Sequence, residues 1–176
     1  MPPLPQSSLR TVLQKSFPLP ALFAGYLTGL LCAVLMTLTV TQPNELLLRP
    51  SDRWTAFADC VSAELPFWIA ATLIGFSRLP HTASLPIGFR SFLFGYASLQ
   101  VYLFAENQTG YFFFVLGSAL TLLPLSCVTK LAKMQSAHSG RLTGSDQLRY
   151  LFRCLYYWGL TLIILFIRSS MGALLR

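Results

Sequence analysis

The chain has 176 residues, of which 54% are hydrophobic and only 11% are charged, whereas soluble domains carry about 25% charged residues. A soluble domain of this length needs more polar residues to cover its surface, so we predict an all-α, polytopic integral membrane protein with about five transmembrane helices plus an interfacial amphipathic helix. The net charge of +7 comes from basic residues in short segments between apolar runs, so we expect no nucleic-acid partner.

The first predicted transmembrane helix, residues 19–41, follows a polar, proline-rich N-terminal tail at 1–18. The run carries no charge and exceeds the ~20 residues that cross a bilayer. A cleaved signal peptide is the alternative, but the run is long for that role and lacks an A-x-A cleavage site. Gly25 and Gly29 form a G-x-x-x-G motif, which permits close helix contact, either within the monomer or with a partner.

Residues 52–64 predict an amphipathic helix that lies on the membrane surface and continues into the second crossing. Apolar residues between positions 54 and 68 recur at spacings of three and four and draw one stripe, and we place Asp59 and Glu64 off that stripe. An acidic residue inside the membrane would suggest a proton-binding site. For Asp59 and Glu64, a water-exposed position at the outer membrane interface is favoured instead. The candidate outer-face docking residues are Trp54, Phe57, Asp59, Val61 and Glu64.

Four further transmembrane helices are predicted at 65–81, 87–105, 111–129 and 150–168, with a basic cytoplasmic segment at 130–149. The second is short, because its thirteen residues before Arg78 rise only about 20 Å. It must borrow residues from the interfacial helix or enter the bilayer without spanning it. Gly88 and Gly95 give the third helix a smooth face for contact, and Pro124 should kink the fourth helix.

The basic residues indicate which side of the membrane each segment occupies. With a cytoplasmic N-terminus, nine basic residues fall inside and four outside, together with five of the six acids outside. The inner residues are Arg10, Lys15, Arg78, Arg90, Lys130, Lys133, Arg141, Arg149 and Arg153, and the outer ones are Arg49, Arg53, Arg168 and Arg176. This bias predicts an integral membrane protein with a cytoplasmic N-terminus, in which Arg90 anchors the cytoplasmic end of helix three, its guanidinium reaching the headgroups.

The sequence offers no grouping of residues typical of a catalytic or metal site. The two histidines have no carboxylate at ligand spacing, and the four cysteines are far apart, with no C-x-x-C pair. No H-E-x-x-H, G-x-S-x-G or P-loop motif occurs. We therefore expect a protein that is not an enzyme and that uses no metal or other cofactor.

Three short motifs stand in order between Glu64 and Thr129. Trp68 and Gly75 precede "RLP"; "FRSFLFGY" then opens helix three with Phe89, Arg90 and Phe92; and "LLP" ends at Pro124. In this order they resemble the stage II sporulation protein M family of bacterial membrane proteins, although Ser91 stands where that family tends to have glycine. The resemblance implies a non-enzymatic scaffold that anchors peptidoglycan hydrolases at the septal membrane during engulfment in endospore formation.

The sequence is also compatible with other functions. A small transport subunit, such as the substrate-binding component of a vitamin importer, needs convergent polar groups at the bilayer midplane. Thr28, Thr37, Ser98 and Gln100 are the candidates for such groups. A holin-like protein without a defined ligand is a further possibility. The expected partners are membrane lipids and other membrane or membrane-anchored proteins, and the oligomeric state is undetermined.

Overall fold

The computed structural model describes residues 18–39, 53–77, 79–104, 108–138 and 144–174, and these ranges are helical apart from short turns. The predicted all-α class is confirmed. Residues 1–17 of the predicted tail at 1–18, residues 40–52 and Arg78 lie outside the described residues. The helices are α1 (Leu19–Thr39), α2 (Arg53–Ile74), a 3₁₀-helix (Pro80–Ser84), α3 (Leu85–Phe104), α4 (Gln108–His138) and α5 (Gly144–Leu174).

Four of the described helices are long and apolar enough to cross a membrane. These stretches are Leu19–Met36 in α1, Trp54–Ile74 in α2, Gln108–Ala137 in α4 and Gly144–Ser170 in α5. Helix α3 has 20 residues, includes Arg90 and is not among the four. Large apolar side chains are exposed along these helices, for example Phe23, Leu73 and Ile163, as expected for surfaces that face lipid.

The predicted interfacial helix and the second crossing form one continuous helix. Helix α2 runs for 22 residues from Arg53 to Ile74, with Pro66 inside it, and it ends before the predicted limit at residue 81. Its 22 residues rise about 33 Å, so the expected shortfall in length disappears. Helix α4 likewise continues to His138, so the first part of the predicted basic segment is helical. Pro124 is buried inside α4, and the kink expected there stays a prediction.

Helices α1 and α3 pack closely and run in the same direction. Gly25 lies against the backbone of Gly88, and Gly29 lies against Phe92, four residues further along both helices. A Cβ atom at Gly25, Gly29 or Gly95 would collide with backbone atoms of the facing helix. At Gly88, by contrast, the nearest atom to an added Cβ would be 3.7 Å away. The glycines therefore allow this contact within the monomer.

The hydrophobic core lies mainly between α2, α4 and α5, and α5 is antiparallel to α2. The Trp68 and Trp158 ring centroids are 5.0 Å apart, and the Tyr150 hydroxyl donates a hydrogen bond to the Thr72 carbonyl at 2.9 Å. At the other end of α2, Trp54 and Phe57 contact Phe166. The buried core residues are Trp68, Ala71, Ile87, Leu125, Val128, Ala132, Tyr150 and Cys154.

Candidate functional site

A buried ion pair connects the middle of α2 to the first turns of α3. Nε of Arg90 donates to both carboxylate oxygens of Glu64 at 2.8 Å, and Nη2 of Arg90 donates to Oε1. The two side chains are only 12% and 4% exposed, respectively. The expected role of Arg90 at the headgroups is therefore wrong, because its guanidinium binds a carboxylate inside the bundle. Glu64 is likewise not part of an exposed docking surface.

Helix geometry explains why Glu64 faces inward. Seven residues make nearly two turns of an α-helix, so Glu64 lies on the same face as Phe57 and one turn before the buried Trp68. Placing Glu64 off the apolar stripe was an error of phase. Arg90 lies three residues after the buried Ile87 and four before the buried Phe94, so it also faces the bundle. An unpaired charge there would be costly, and the ion pair offsets that cost.

Helix α4 contributes a hydroxyl beside the ion pair. Thr121 is 1% exposed, and its hydroxyl donates to the Ser118 carbonyl at 2.8 Å. The same oxygen is 3.5 Å from Oε1 of Glu64, which is too long for a second strong hydrogen bond. The carboxylate therefore depends on Arg90 for its strong hydrogen bonds within the described part of the chain.

A second arginine, Arg168 of α5, lies close to this pair. Its guanidinium carbon is 4.9 Å from the centroid of the Phe114 ring, a distance typical of a cation–π contact. Its stem packs against Gly117, where an added Cβ would be 2.9 Å from Cδ of Arg168. Arg168 also interacts electrostatically with Glu64 and Arg90.

The charges of this site do not cancel. Glu64 and Arg90 neutralise each other, whereas Arg168 forms no hydrogen bond or ion pair within the described ranges. Phe114 offers Arg168 the negative face of an aromatic ring but no full negative charge. The site, which we define as Glu64, Arg90, Phe114, Thr121 and Arg168, therefore carries a net positive charge. Chemically, this arrangement can bind an anionic group.

The predicted outer-face residues do not form one surface. The rings of Trp54 and Phe57 have centroids 6.0 Å and 5.8 Å from that of Phe166, Val61 is partly buried, and Asp59 is exposed. These residues therefore divide between a contact with α5 and the surface, while Glu64 belongs to the ion pair. Sequence reasoning counted Arg168 only as a topological charge and missed its position beside that pair. Arg168 directly follows the apolar run 154–167, and this position was the sequence feature that could have indicated its place in the helix bundle.

The residues that carried the family resemblance occupy different environments. Phe89 is 59% exposed and stacks against Phe92, with centroids 6.0 Å apart. Arg90 belongs to the ion pair. Ser91, which stands where the family tends to have glycine, is buried and donates a hydrogen bond to the Leu22 carbonyl at 2.7 Å. A serine is therefore accommodated at the α1–α3 contact, and its hydroxyl has a partner.

Comparisons with protein-family models, with curated proteins and with solved structures find no match to this chain. The site must therefore be interpreted from its own chemistry. In the part of the chain that the structure describes, no group of three or more histidine, cysteine, aspartate or glutamate side chains is arranged to hold a metal ion.

Proposed function

We propose that this chain is a non-enzymatic integral membrane subunit that assembles partner proteins in the bacterial cytoplasmic membrane. Insertion into the membrane is supported by the four described helices that are long and apolar enough to cross a bilayer. Helices α1 and α3 are parallel, and α5 is antiparallel to α2, which agrees with a chain that crosses five times. Without the buried Arg90, eight basic residues fall on the inner side against four on the outer side, a bias that supports a cytoplasmic N-terminus.

Arg168 is the observation that carries this proposal. A charged side chain within a membrane-spanning helix is costly, so arginines there usually pair with other polar or charged groups. Arg90 already has Glu64 as its partner, and Arg168 has only an aromatic face within the described residues. Since Arg168 is only partly buried, a carboxylate on a second membrane protein can reach it. Binding such a partner would offset the charge that Arg168 carries without an ion pair among the described residues.

The position of Arg168 agrees with partners that act outside the cytoplasm. In the predicted topology the last helix runs outward, so Arg168 lies near its outer end, at the level of Trp54 and Phe57. Membrane-anchored peptidoglycan hydrolases would approach from this side. The motifs around Phe89, Arg90 and Phe92 add the resemblance to the sporulation family, which supports a scaffold in endospore engulfment. We propose this process as the biological setting.

Two of the four polar residues that suggested a transport subunit, Thr28 and Ser98, form hydrogen bonds within their own helices. The Thr28 hydroxyl donates to the Ala24 and Gly25 carbonyls at 2.8 and 2.9 Å, and the Ser98 hydroxyl donates to the Phe94 carbonyl at 2.7 Å. These hydroxyls satisfy their own helices and do not converge on a pocket. The scaffold therefore remains the proposed function.

Crosslinking in native membranes tests this proposal. A photo-crosslinker beside Arg168 in the full chain should capture a membrane-anchored cell-wall hydrolase, identified by mass spectrometry. Arg168→Leu should reduce the capture about tenfold, which corresponds to about 1.4 kcal/mol, while Arg168→Lys should keep most of it. Arg149→Leu is the matched control, since Arg149 is an exposed arginine on the same helix. Undiminished capture by Arg168→Leu, or a tightly bound vitamin on the purified protein, would contradict the scaffold.

A further inference from the structure

A groove opens between α4 and α5 at the opposite end of the bundle from Arg168. Its volume is about 380 Å³, within the ~300–1,000 Å³ range of small-molecule sites. Phe152 and Tyr156 are 63% and 65% exposed, so the groove is accessible from the outer surface of the bundle. The lining residues are Leu131, Phe152, Arg153, Tyr156 and Tyr157.

Basic side chains lie in and near the groove. Arg153 lines it, and the exposed Lys133 and Arg149 lie nearby along α4 and α5. The acid closest in sequence is Asp146, which is seven residues and therefore about 10 Å before Arg153 along α5 and does not line the groove. In the predicted topology this end of the bundle faces the cytoplasm. An anionic ligand is therefore complementary to the groove in charge.

We propose that this groove binds the headgroup of an anionic phospholipid from the cytoplasmic leaflet. The Arg153 guanidinium is suited to contact phosphate through two parallel hydrogen bonds, and the tyrosine hydroxyls add neutral donors. Leu131 and Phe152 provide an apolar surface for the first carbons of the acyl chains. Basic pockets between transmembrane helices on the cytoplasmic side bind such headgroups in general. The inference rests on the membrane insertion within the proposed function, and it is independent of the scaffold role.

The position of the groove favours a lipid over a soluble phosphate. Arg153 lies nine residues into α5, about 14 Å from the start of that helix, and Leu131 lies seven residues before the end of α4. Aromatic side chains at such depths are typical of membrane interfaces, where an apolar ring surface and a polar tip are both satisfied. A soluble anion would have little use for the exposed rings of Phe152 and Tyr156, whereas acyl chains would cover them.

Lipid retention by the purified full-length chain tests this inference. The chain is reconstituted with equal amounts of phosphatidylglycerol and phosphatidylcholine of identical acyl chains, and the lipids retained are measured by native mass spectrometry. We expect a preference for phosphatidylglycerol that falls about tenfold in Arg153→Gln and about twofold in Tyr156→Phe. Arg153→Lys should be intermediate, because lysine keeps the charge and loses the bidentate geometry. Glycerol phosphate in solution should not compete.

Arg149→Gln is the matched control, since it removes the same charge from the same helix without touching the groove lining. An equal loss in Arg149→Gln would indicate diffuse electrostatic attraction and overturn the site, as would the lack of any preference for phosphatidylglycerol. Competition by glycerol phosphate would also overturn it in favour of a soluble phosphate. Flotation with vesicles after alkaline extraction separates the two proposals. A chain that floats but shows no lipid preference refutes only the groove, whereas a chain that does not float refutes both.

Discussion

Glu64 and Arg90 are 26 residues apart in the sequence and form a buried ion pair through both carboxylate oxygens. The pair fixes the position of α3 against α2 well away from the turn that connects them. It also affects the charge inside the bundle, because the two residues neutralise each other, whereas Arg168 has no ion-pair partner among the described residues. This ion pair therefore contributes both to the packing of α3 on α2 and to the charge distribution on which the proposed function depends.

Removing one member of this pair should destabilise the protein much more than removing both. Glu64→Leu or Arg90→Met alone leaves a buried charge without its partner, and such changes cost about 3–5 kcal/mol. The double variant Glu64→Leu/Arg90→Met should lie close to wild type, since an apolar replacement of a buried ion pair is often neutral. Unfolding of the four proteins in mixed micelles gives the double-mutant cycle. Additive losses would show that the two side chains do not interact.

Alanine substitutions at the glycines of α1 and α3 should lower the stability of the protein by different amounts. Gly25→Ala and Gly29→Ala place a methyl group against backbone atoms of α3, which side-chain rotation cannot relieve, so each should cost about 1–3 kcal/mol. Gly88→Ala is the matched control, because its added Cβ would have 3.7 Å to its nearest neighbour. Thermal denaturation in detergent should lower Tm for the first two variants and leave the third near wild type. Three equal melting temperatures would contradict the close parallel packing.

Much of the fold was predictable because it depends on local composition. Long runs without charges, such as 19–36, indicate helices that can cross a membrane, and the structure has four such helices. The 52–64 helix was predicted to continue into the second crossing, and α2 runs without a break from Arg53 to Ile74. The sequence did not show that Glu64, within this helix, pairs with Arg90 of α3. A local pattern cannot reveal this long-range partner.

The charged site was only partly accessible from the sequence. The phase of Glu64 relative to Phe57 and Trp68 was sufficient to place it on the inner face. Arg168 was different, since its surroundings come from α4, which is about 50 residues earlier in the chain. The absence of a side chain at Gly117 makes room for its stem, and Phe114 supplies the ring. Both features depend on the register between α4 and α5, which periodicity does not determine.

The Tyr150 hydroxyl should contribute measurably to the contact between α2 and α5. It donates to the Thr72 carbonyl at 2.9 Å, and its ring lies edge-on to Phe76 with centroids 5.3 Å apart. Tyr150→Phe keeps the ring and removes the donor, so it should lower the free energy of unfolding by about 0.5–1.5 kcal/mol. Tyr156→Phe, at an exposed position on the same helix, should change the stability by less than about 0.5 kcal/mol. Equal effects in denaturant titrations would argue against the hydrogen bond.

Gly117 should control the position of Arg168. Alanine there would bring its Cβ to 2.9 Å from Cδ of Arg168, so the arginine stem must shift, and we expect its contact with the Phe114 ring to weaken. Gly159→Ala is the control, because an added Cβ has no neighbour within 4 Å there, and a stability gain of up to about 1 kcal/mol is expected from helix propensity. Gly117→Ala should therefore be less stable than Gly159→Ala. If the proposed partner binds at Arg168, Gly117→Ala should also weaken its crosslinking there, while Gly159→Ala leaves the crosslinking intact. If both variants crosslink as well as wild type, the partner does not depend on the placement of Arg168.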